Sequence, residues 1–225
     1  MKAPFSANWN MLDSQITEFL SDFRRGTHAI LFYDTPENKQ EVLFSHLKYG
    51  HDGNEGLAYV CSEESPQQIR TGMKKFGMDA DNMRSRNRLV IDNYDSVYIV
   101  NGEVNIARIA TQFKELSQRY LASGLNGLRC SAEMSCFFRH NMVKELIDYE
   151  YAMHRRLSIP AEGICAYNVR ELTERNQLGI VMDLVRAHDP VLFTGPMGNL
   201  LLKPEKVKKE DIEKTMQIRI RTTSF

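Results

Sequence analysis

The stretch Gly56-Leu57-Ala58-Tyr59-Val60-Cys61-Ser62-Glu63-Glu64-Ser65-Pro66 limits what this chain can become more than any other. Leu57 to Cys61 is a short apolar run, of a length suited to a strand buried on both faces. It stops on two carboxylates. Ser65 then offers a helix N-cap, Pro66 suits the first helical position, and Gln67 to Phe76 continues as a helix ending near Gly77. A strand, an acidic corner and a crossover helix form the repeating unit of an open parallel sheet. Ligands of such sheets bind at the carboxyl edge of the strands, which is where Glu63 and Glu64 would stand.

The rest of the chain repeats the unit. Residues 11–25 carry Leu12, Ile16, Phe19, Leu20 and Phe23 at helical spacing, which predicts an N-terminal helix packed on the sheet. His28 to Tyr33 is a first strand. Thr35 caps a helix with Pro36 in its first turn, running to about Gly50. Arg88 to Asp92 is a third strand, and Val104 to Leu121 a helix with an apolar stripe. Gly127 to Ser131 is a fourth strand, Asn141 to Leu157 a helix, and Ala161 to Tyr167 a fifth strand. Asn176 to His188 is a helix and Pro190 to Thr194 a sixth strand, with Leu200 to Leu202 as a candidate seventh. Asp79 to Asn87 and Ala132 to His140 read as connectors, the second carrying an apolar Phe137-Phe138 pair that covers something. Strands alternating with helices imply an α/β fold with right-handed crossovers. Lys203 to Phe225 is charged without a clear stripe and reads as a tail or linker, leaving residues 1–202 as a single domain.

The corner and the Phe76-Gly77-Met78-Asp79 that follows its helix resemble the KaiC branch of RecA-like ATPases. From about Thr27 to Leu202 the pattern is similar to a narrower group, the methanogen/methylotroph DcmR-type sensory domain, MEDS. The resemblance rests on His28-Ala-Ile-Leu-Phe-Tyr33-Asp34, on Ser62-Glu63-Glu64-Ser65-Pro66, on Gly127-Leu-Arg129 followed by Glu133-Met134, and on Tyr149-Glu150-Tyr151. It implies a three-layer, RecA-like, mostly parallel sheet flanked by helices. It also implies sensing of small C1-type compounds, with signalling or transcriptional control as the output. In KaiC-like proteins the paired glutamates serve ATP hydrolysis.

Ordinary ATP turnover is not expected. A phosphate loop needs glycines that let backbone N–H groups wrap the phosphates and a hydroxyl residue that holds magnesium. Here the stretch is Tyr33-Asp34-Thr35-Pro36-Glu37-Asn38-Lys39-Gln40. Lys39 stands where the family's lysine would be and reads as a solvated helix lysine. The glycines are missing, Gln40 replaces the hydroxyl residue, Pro36 removes an N–H, and Asp34 and Glu37 add negative charge.

The candidate ligand-binding residues are Tyr33, Asp34, Glu63, Glu64, Arg129, Glu133, Glu150 and Tyr167. Adjacent side chains alternate, so at most one of Glu63 and Glu64 points squarely into the crevice. Arg129 lies in an apolar run and needs a carboxylate partner. Asp34, Glu63, Glu133 and Glu150 are the candidates. Glu150 lies in line with the apolar Val143, Leu146 and Met153, so it should be paired or face a pocket. Cys61, Cys130 and Cys165 fall late in three strands. They are weak candidates for a metal or redox site, with His28 or His140 as added ligands, against the plainer reading of cysteine as a small buried hydrophobe. No C-x-x-C spacing occurs, and no cofactor is expected.

Lys plus Arg and Asp plus Glu are 29 each, so no net field favours nucleic acid or a membrane. No apolar run approaches the ~18 residues of a membrane span. Four unpaired-looking cysteines and an N-terminus without a signal-peptide core point to a reduced cytoplasm. The reading is therefore a non-catalytic cytoplasmic sensor with a small-molecule ligand and a protein partner, leaving a homo-oligomer open. An active KaiC-like ATPase or phosphotransferase and a thiol or metal sensor are the alternatives.

Overall fold

The computed structural model describes residues 12–156 and 161–220. Met1 to Phe5, Met11, Leu157 and the last five residues of the expected tail lie outside them. The strands are β1 (His28–Tyr33), β2 (Gly56–Cys61), β3 (Leu89–Asn93), β4 (Ile99–Val100), β5 (Glu103–Val104), β6 (Leu128–Glu133), β7 (Ala161–Asn168), β8 (Val191–Gly195) and β9 (Gly198–Leu202). β4 and β5 form a small separate hairpin. The other seven make one sheet in the order β3-β2-β6-β7-β1-β8-β9, parallel except for β9.

Strand periodicity sorts the core into two layers. Ala29, Leu31 and Tyr33 of β1 face one side with Leu57, Tyr59 and Cys61 of β2. Helices α1 (Ser14–Ser21), α2 (Pro36–Asp52), α3 (Pro66–Lys75) and α4 (Ala80–Ser85) cover this side. Ile30, Phe32, Ala58 and Val60 face the other side. It is covered by α5 (Tyr94–Val97), α6 (Ile106–Ala122), α7 (Ser135–Arg139), α8 (Val143–Arg156), α9 (Val169–Glu174), α10 (Val181–Arg186) and α11 (Lys209–Met216). The result is the three-layer α/β arrangement that the alternation implied.

Local chemistry places the corner. Ser65 caps α3 in a reciprocal capping box with Gln68, with Pro66 in the first turn. Thr35 caps α2 by accepting the backbone N–H of Asn38, ahead of Pro36. Such caps are worth about 1 kcal/mol each and start both helices directly at the strand ends.

Several expectations are corrected. The two connectors contain α4 and α7, and α9 falls in a stretch left unassigned. Only residues 181–186 of the expected 176–188 helix are α-helical, preceded by a 3-10 turn. Phe137 and Phe138 are buried, Phe137 against Tyr98 and Tyr149 and Phe138 against Tyr167. The supposed tail is part of the body as far as Ile220. Val207, Ile212, Met216 and Ile220 are all buried. These four apolar residues stand four or five apart among charges, too thin a stripe to read as an amphipathic helix.

Candidate functional site

At the carboxyl edge Lys39 is fully buried, not solvated. It is the fourth residue of α2, and its ammonium points back across the strand ends. Lys39 Nζ lies 2.7 Å from Glu133 Oε1, 2.8 Å from Glu64 Oε2 and 3.5 Å from Glu63 Oε2. Glu133, the last residue of β6, also accepts from Tyr59 Oη at 2.8 Å. Its other oxygen accepts the backbone N–H groups of Ser62 and Glu63, each at 2.7 Å. Glu63 accepts from Ser135 Oγ at 2.7 Å and from the Tyr33 hydroxyl. Gln40 donates to Glu64 at 2.9 Å.

Burial alone would pull the Lys39 pKa down, but the charges of Glu133, Glu63 and Glu64 outweigh it and raise it. Burial likewise pushes the Glu133 carboxyl up, yet the Lys39 charge and the hydrogen bonds from Lys39, Glu63 and Ser62 bring it below its ordinary value. Burial, then the Glu63 charge, pushes Tyr33 up, so it stays a neutral donor. The network places a lysine inside three carboxylates, each of which also accepts from a further donor.

The edge thus joins Tyr33, Glu63, Glu64, Glu133 and Lys39. Asp34 stands beside them but is engaged by Asn38 Nδ2 at 2.7 Å. Arg129, Glu150 and Tyr167 are elsewhere. Arg129 and Glu133 are four residues apart on one strand face, a separation of about 13 Å. Arg129 therefore belongs to the opposite edge and pairs with none of Asp34, Glu63, Glu133 or Glu150. Its partners are Glu55 at 2.5 Å and Glu162 at 3.0 Å. Its guanidinium also donates to the carbonyls of Leu20, Phe23 and His46. Gly50 makes room for it: a Cβ there would sit 2.5 Å from Arg129 Cδ. Burial and the neighbouring Glu55 push the Glu162 carboxyl up to about 8. The arginine at the edge crevice is instead Arg139 of α7. It donates to Ser62 O at 2.6 Å and grips Glu171 with two bonds of 2.9 and 3.1 Å.

Glu150 lies under the sheet, in the layer of α8. It accepts from the Tyr167 hydroxyl. Its Oε2 is 3.4 Å from His28 Nε2, 3.3 Å from His188 Nε2 and 3.7 Å from Cys165 Sγ. Burial disfavours its charge, but the two histidines hold its carboxyl well below the usual carboxylate range. Burial and the His188 ring lower the His28 pKa. The three cysteines do not converge. Cys61 faces the α2 side with Tyr59, whereas Cys130 and Cys165 face α8. Of the strand cysteines, Cys165 alone joins the histidines.

Beside this cluster a cavity of about 80 Å³ runs between β6, β7, α6 and α8. His28, Cys130, Ala132, Tyr149, Gly163 and Cys165 are on its wall. Sequence reasoning passed over Tyr59, Ser62, Ser135, Arg139, Glu171 and His188. Tyr59 sits inside an apolar run and looks like core. His188 precedes a strand by three residues, and only its nearness to Pro190 at the strand's start set it apart.

A mostly parallel sheet covered on both faces, with paired glutamates after β2 and a lysine in the first turns of the helix after β1, is a three-layer fold of the RecA-like kind. Residues 27–189 match the family described as MEDS, the methanogen/methylotroph DcmR sensory domain, and the chain belongs to that family. That gives it a sensory or signalling role. The fold is similar to that of a KaiC-like protein from Pyrococcus horikoshii OT3, with a TM-score of 0.55 at 13% identity, covering 76% of this chain and 72% of that one. It is also similar to an uncharacterised protein of Pyrococcus horikoshii solved with an unknown peptide. There the TM-score is 0.60 at 14% identity, over 87% of this chain and 89% of that one. A comparison with curated proteins found no match. Among the described residues no helix is long and apolar enough to cross a membrane.

Proposed function

We propose that this chain is a non-catalytic sensory domain that takes a very small organic molecule, of the C1 class, into the cavity beside Cys130 and Cys165. It passes the binding event to a protein partner or to transcriptional control. The observation that carries the reading is the buried Lys39. In a nucleotide-binding domain this lysine must meet phosphate; here three carboxylates have taken that place. An approaching polyphosphate would meet excess negative charge and no free backbone cradle. The cavity supports the choice of ligand class. Drug-sized ligands need roughly 300–1,000 Å³, so about 80 Å³ admits only a few heavy atoms. Its wall is mostly apolar, with the hydroxyl of Tyr149 and the thiol of Cys130 as polar handles.

The test is a thermal-shift and calorimetry screen of C1 alcohols, amines, thiols and halides beside magnesium ATP. A ligand that binds only the folded state at about 100 times its Kd adds about 2.7 kcal/mol of stability. We expect a C1 compound to raise the melting temperature and Cys130→Met, which fills the cavity, to abolish that rise. Magnesium ATP should neither stabilise the protein nor be hydrolysed. Steady turnover lost in Glu63→Gln or Glu64→Gln would instead establish the KaiC-like ATPase.

A further inference from the structure

Four ligand atoms of types that bind transition metals meet in the core, each from a different part of the chain. His28 opens β1, Glu150 is in α8, Cys165 is in β7 and His188 follows α10. The atoms all lie within 4.8 Å of one another. Three of the four residues are buried and His28 is nearly so.

Four of the six separations match a metal's ligand shell. Zinc bonds of about 2.0–2.3 Å to nitrogen, oxygen and sulfur put the ligand atoms of a tetrahedron about 3.3–3.8 Å apart. The observed edges are 3.3 Å for His188 Nε2 to Glu150 Oε2 and 3.4 Å for His28 Nε2 to Glu150 Oε2. Those from sulfur are 3.4 Å to His28 Nε2 and 3.7 Å to Glu150 Oε2. Each nitrogen–oxygen edge is longer than a good N–H···O hydrogen bond, about 2.7–3.2 Å.

The protonation pattern points the same way. His188 Nδ1 is 2.8 Å from the backbone carbonyl of Leu184. A carbonyl only accepts, so Nδ1 carries a proton, and in that singly protonated tautomer Nε2 turns its lone pair inward. That nitrogen is buried and makes no hydrogen bond, although a carboxylate oxygen faces it. Two electron-pair donors pointed at each other call for a cation between them. A backbone carbonyl that fixes the outer nitrogen of a histidine is the usual support behind a metal ligand. The Tyr167 hydroxyl supports Glu150 in the same manner. Among the described residues no lysine or arginine pairs with this buried carboxylate.

We propose that His28, Glu150, Cys165 and His188 bind one divalent transition ion of borderline softness, with zinc as the natural occupant of a four-coordinate N₂OS site. Binding displaces the Cys165 thiol proton to solvent and forms a metal–thiolate bond. The proposal stands apart from the sensory reading, because the ion is held whether or not the neighbouring cavity accepts a ligand.

The experiment uses the full chain, stripped with a chelator and titrated with cobalt(II), then with zinc in competition with a chromophoric chelator. We expect one ion per chain, the visible absorption of tetrahedral cobalt, and a near-ultraviolet thiolate-to-cobalt charge-transfer band. Cys165→Ser should lose that band, while Cys61→Ala and Cys130→Ala keep it. His28→Gln and His188→Gln should each weaken zinc by at least about tenfold. If Cys165→Ser does not fold, the wild-type band together with its survival in Cys61→Ala, Cys130→Ala and Cys136→Ala identifies the thiolate. Absence of a stoichiometric cobalt spectrum overturns the proposal and leaves His28 and His188 as direct partners of Glu150. A charge-transfer band unchanged in a folded Cys165→Ser overturns it too. C1 binding in the metal-free protein is measured separately, so either reading can fail alone.

Discussion

Lys39 Nζ and Glu133 Oε1 are 2.7 Å apart, although 94 residues separate them and neither side chain touches water. Removing one partner of a buried pair leaves an uncompensated charge, a loss of about 3–5 kcal/mol. Lys39→Met should destabilise the protein by that order in urea melts, and Lys39→Met with Glu133→Gln should recover part of it. A Lys39→Met variant within about 1 kcal/mol of wild type would show that the network contributes little.

The same pair sets the acid limb of the stability curve. The Glu133 carboxyl is held below its ordinary value of 4.5 in the folded state. The unfolded chain therefore binds the proton more readily. The stabilisation from this group is complete well above pH 4.5 and is lost as pH falls through the folded value. Stability should drop on acidification below about pH 5, and Glu133→Gln, though weaker at neutral pH, should drop less steeply. Parallel acid slopes for the two proteins would exclude Glu133 as a source of the acid sensitivity.

Arg129 bears on the fold rather than on a ligand. Arg129→Ala strands Glu55 beside Glu162 and releases three carbonyls, and we expect a loss of about 3–5 kcal/mol with C1 binding unchanged in whatever protein remains folded. With its carboxyl pushed up to about 8, Glu162 is largely protonated at neutral pH. A raised carboxyl favours folding at low pH and loses that advantage as pH climbs from its unfolded value toward 8. Glu162→Gln should therefore be nearly neutral at pH 7 by denaturant melts, whereas Glu55→Gln should not. Equal losses in the two variants would contradict this division of charge.

Gly56 tests the packing at the start of the organising strand. A Cβ there would sit 2.1 Å from the Tyr120 ring, whose hydroxyl donates to Leu57 O at 2.9 Å. Gly56→Ala should cost about 1–3 kcal/mol through overpacking. The added substitution Tyr120→Leu, which removes the ring, should make the alanine far less harmful.

The sheet and its order of elements were readable because they rest on local signals. Ser65-Pro66 and Thr35-Pro36 mark helix starts by capping chemistry, and His28–Tyr33 and Gly56–Cys61 are short apolar runs bounded by turns. The strand-end position of Glu63 and Glu64 followed directly. The burial of Lys39 did not, because a helix lysine is solvated unless something distant claims it. Its claimants are Glu63, Glu64 and Glu133, brought near only when β6 inserts beside β2. Arg129 was assigned to the wrong edge by counting along the chain without converting four strand residues into length. The Glu150 cluster draws on residues 28, 150, 165 and 188, and no spacing in one dimension could reveal it.

Both charged fastenings, Arg129 at the strand starts and Lys39 at the strand ends, reach from the sheet to the same side. Arg129 holds carbonyls at the end of α1, just beyond it and in α2, while Lys39 is itself part of α2. Sheet and α2 layer thus behave as a laminated plate, pinned at two ends and unable to slide. The α6 and α8 layer meets the plate through apolar contacts, across the cavity, and at two polar ties, Tyr120 of α6 to Leu57 O and Glu150 of α8 to Tyr167. Under the proposed function, a molecule wedged into that space loads the layer with the fewer ties. The expected signal is then a tilt of α8 about its tie at Glu150 against a stationary plate, offered to the proposed partner on the outer faces of α6 and α8.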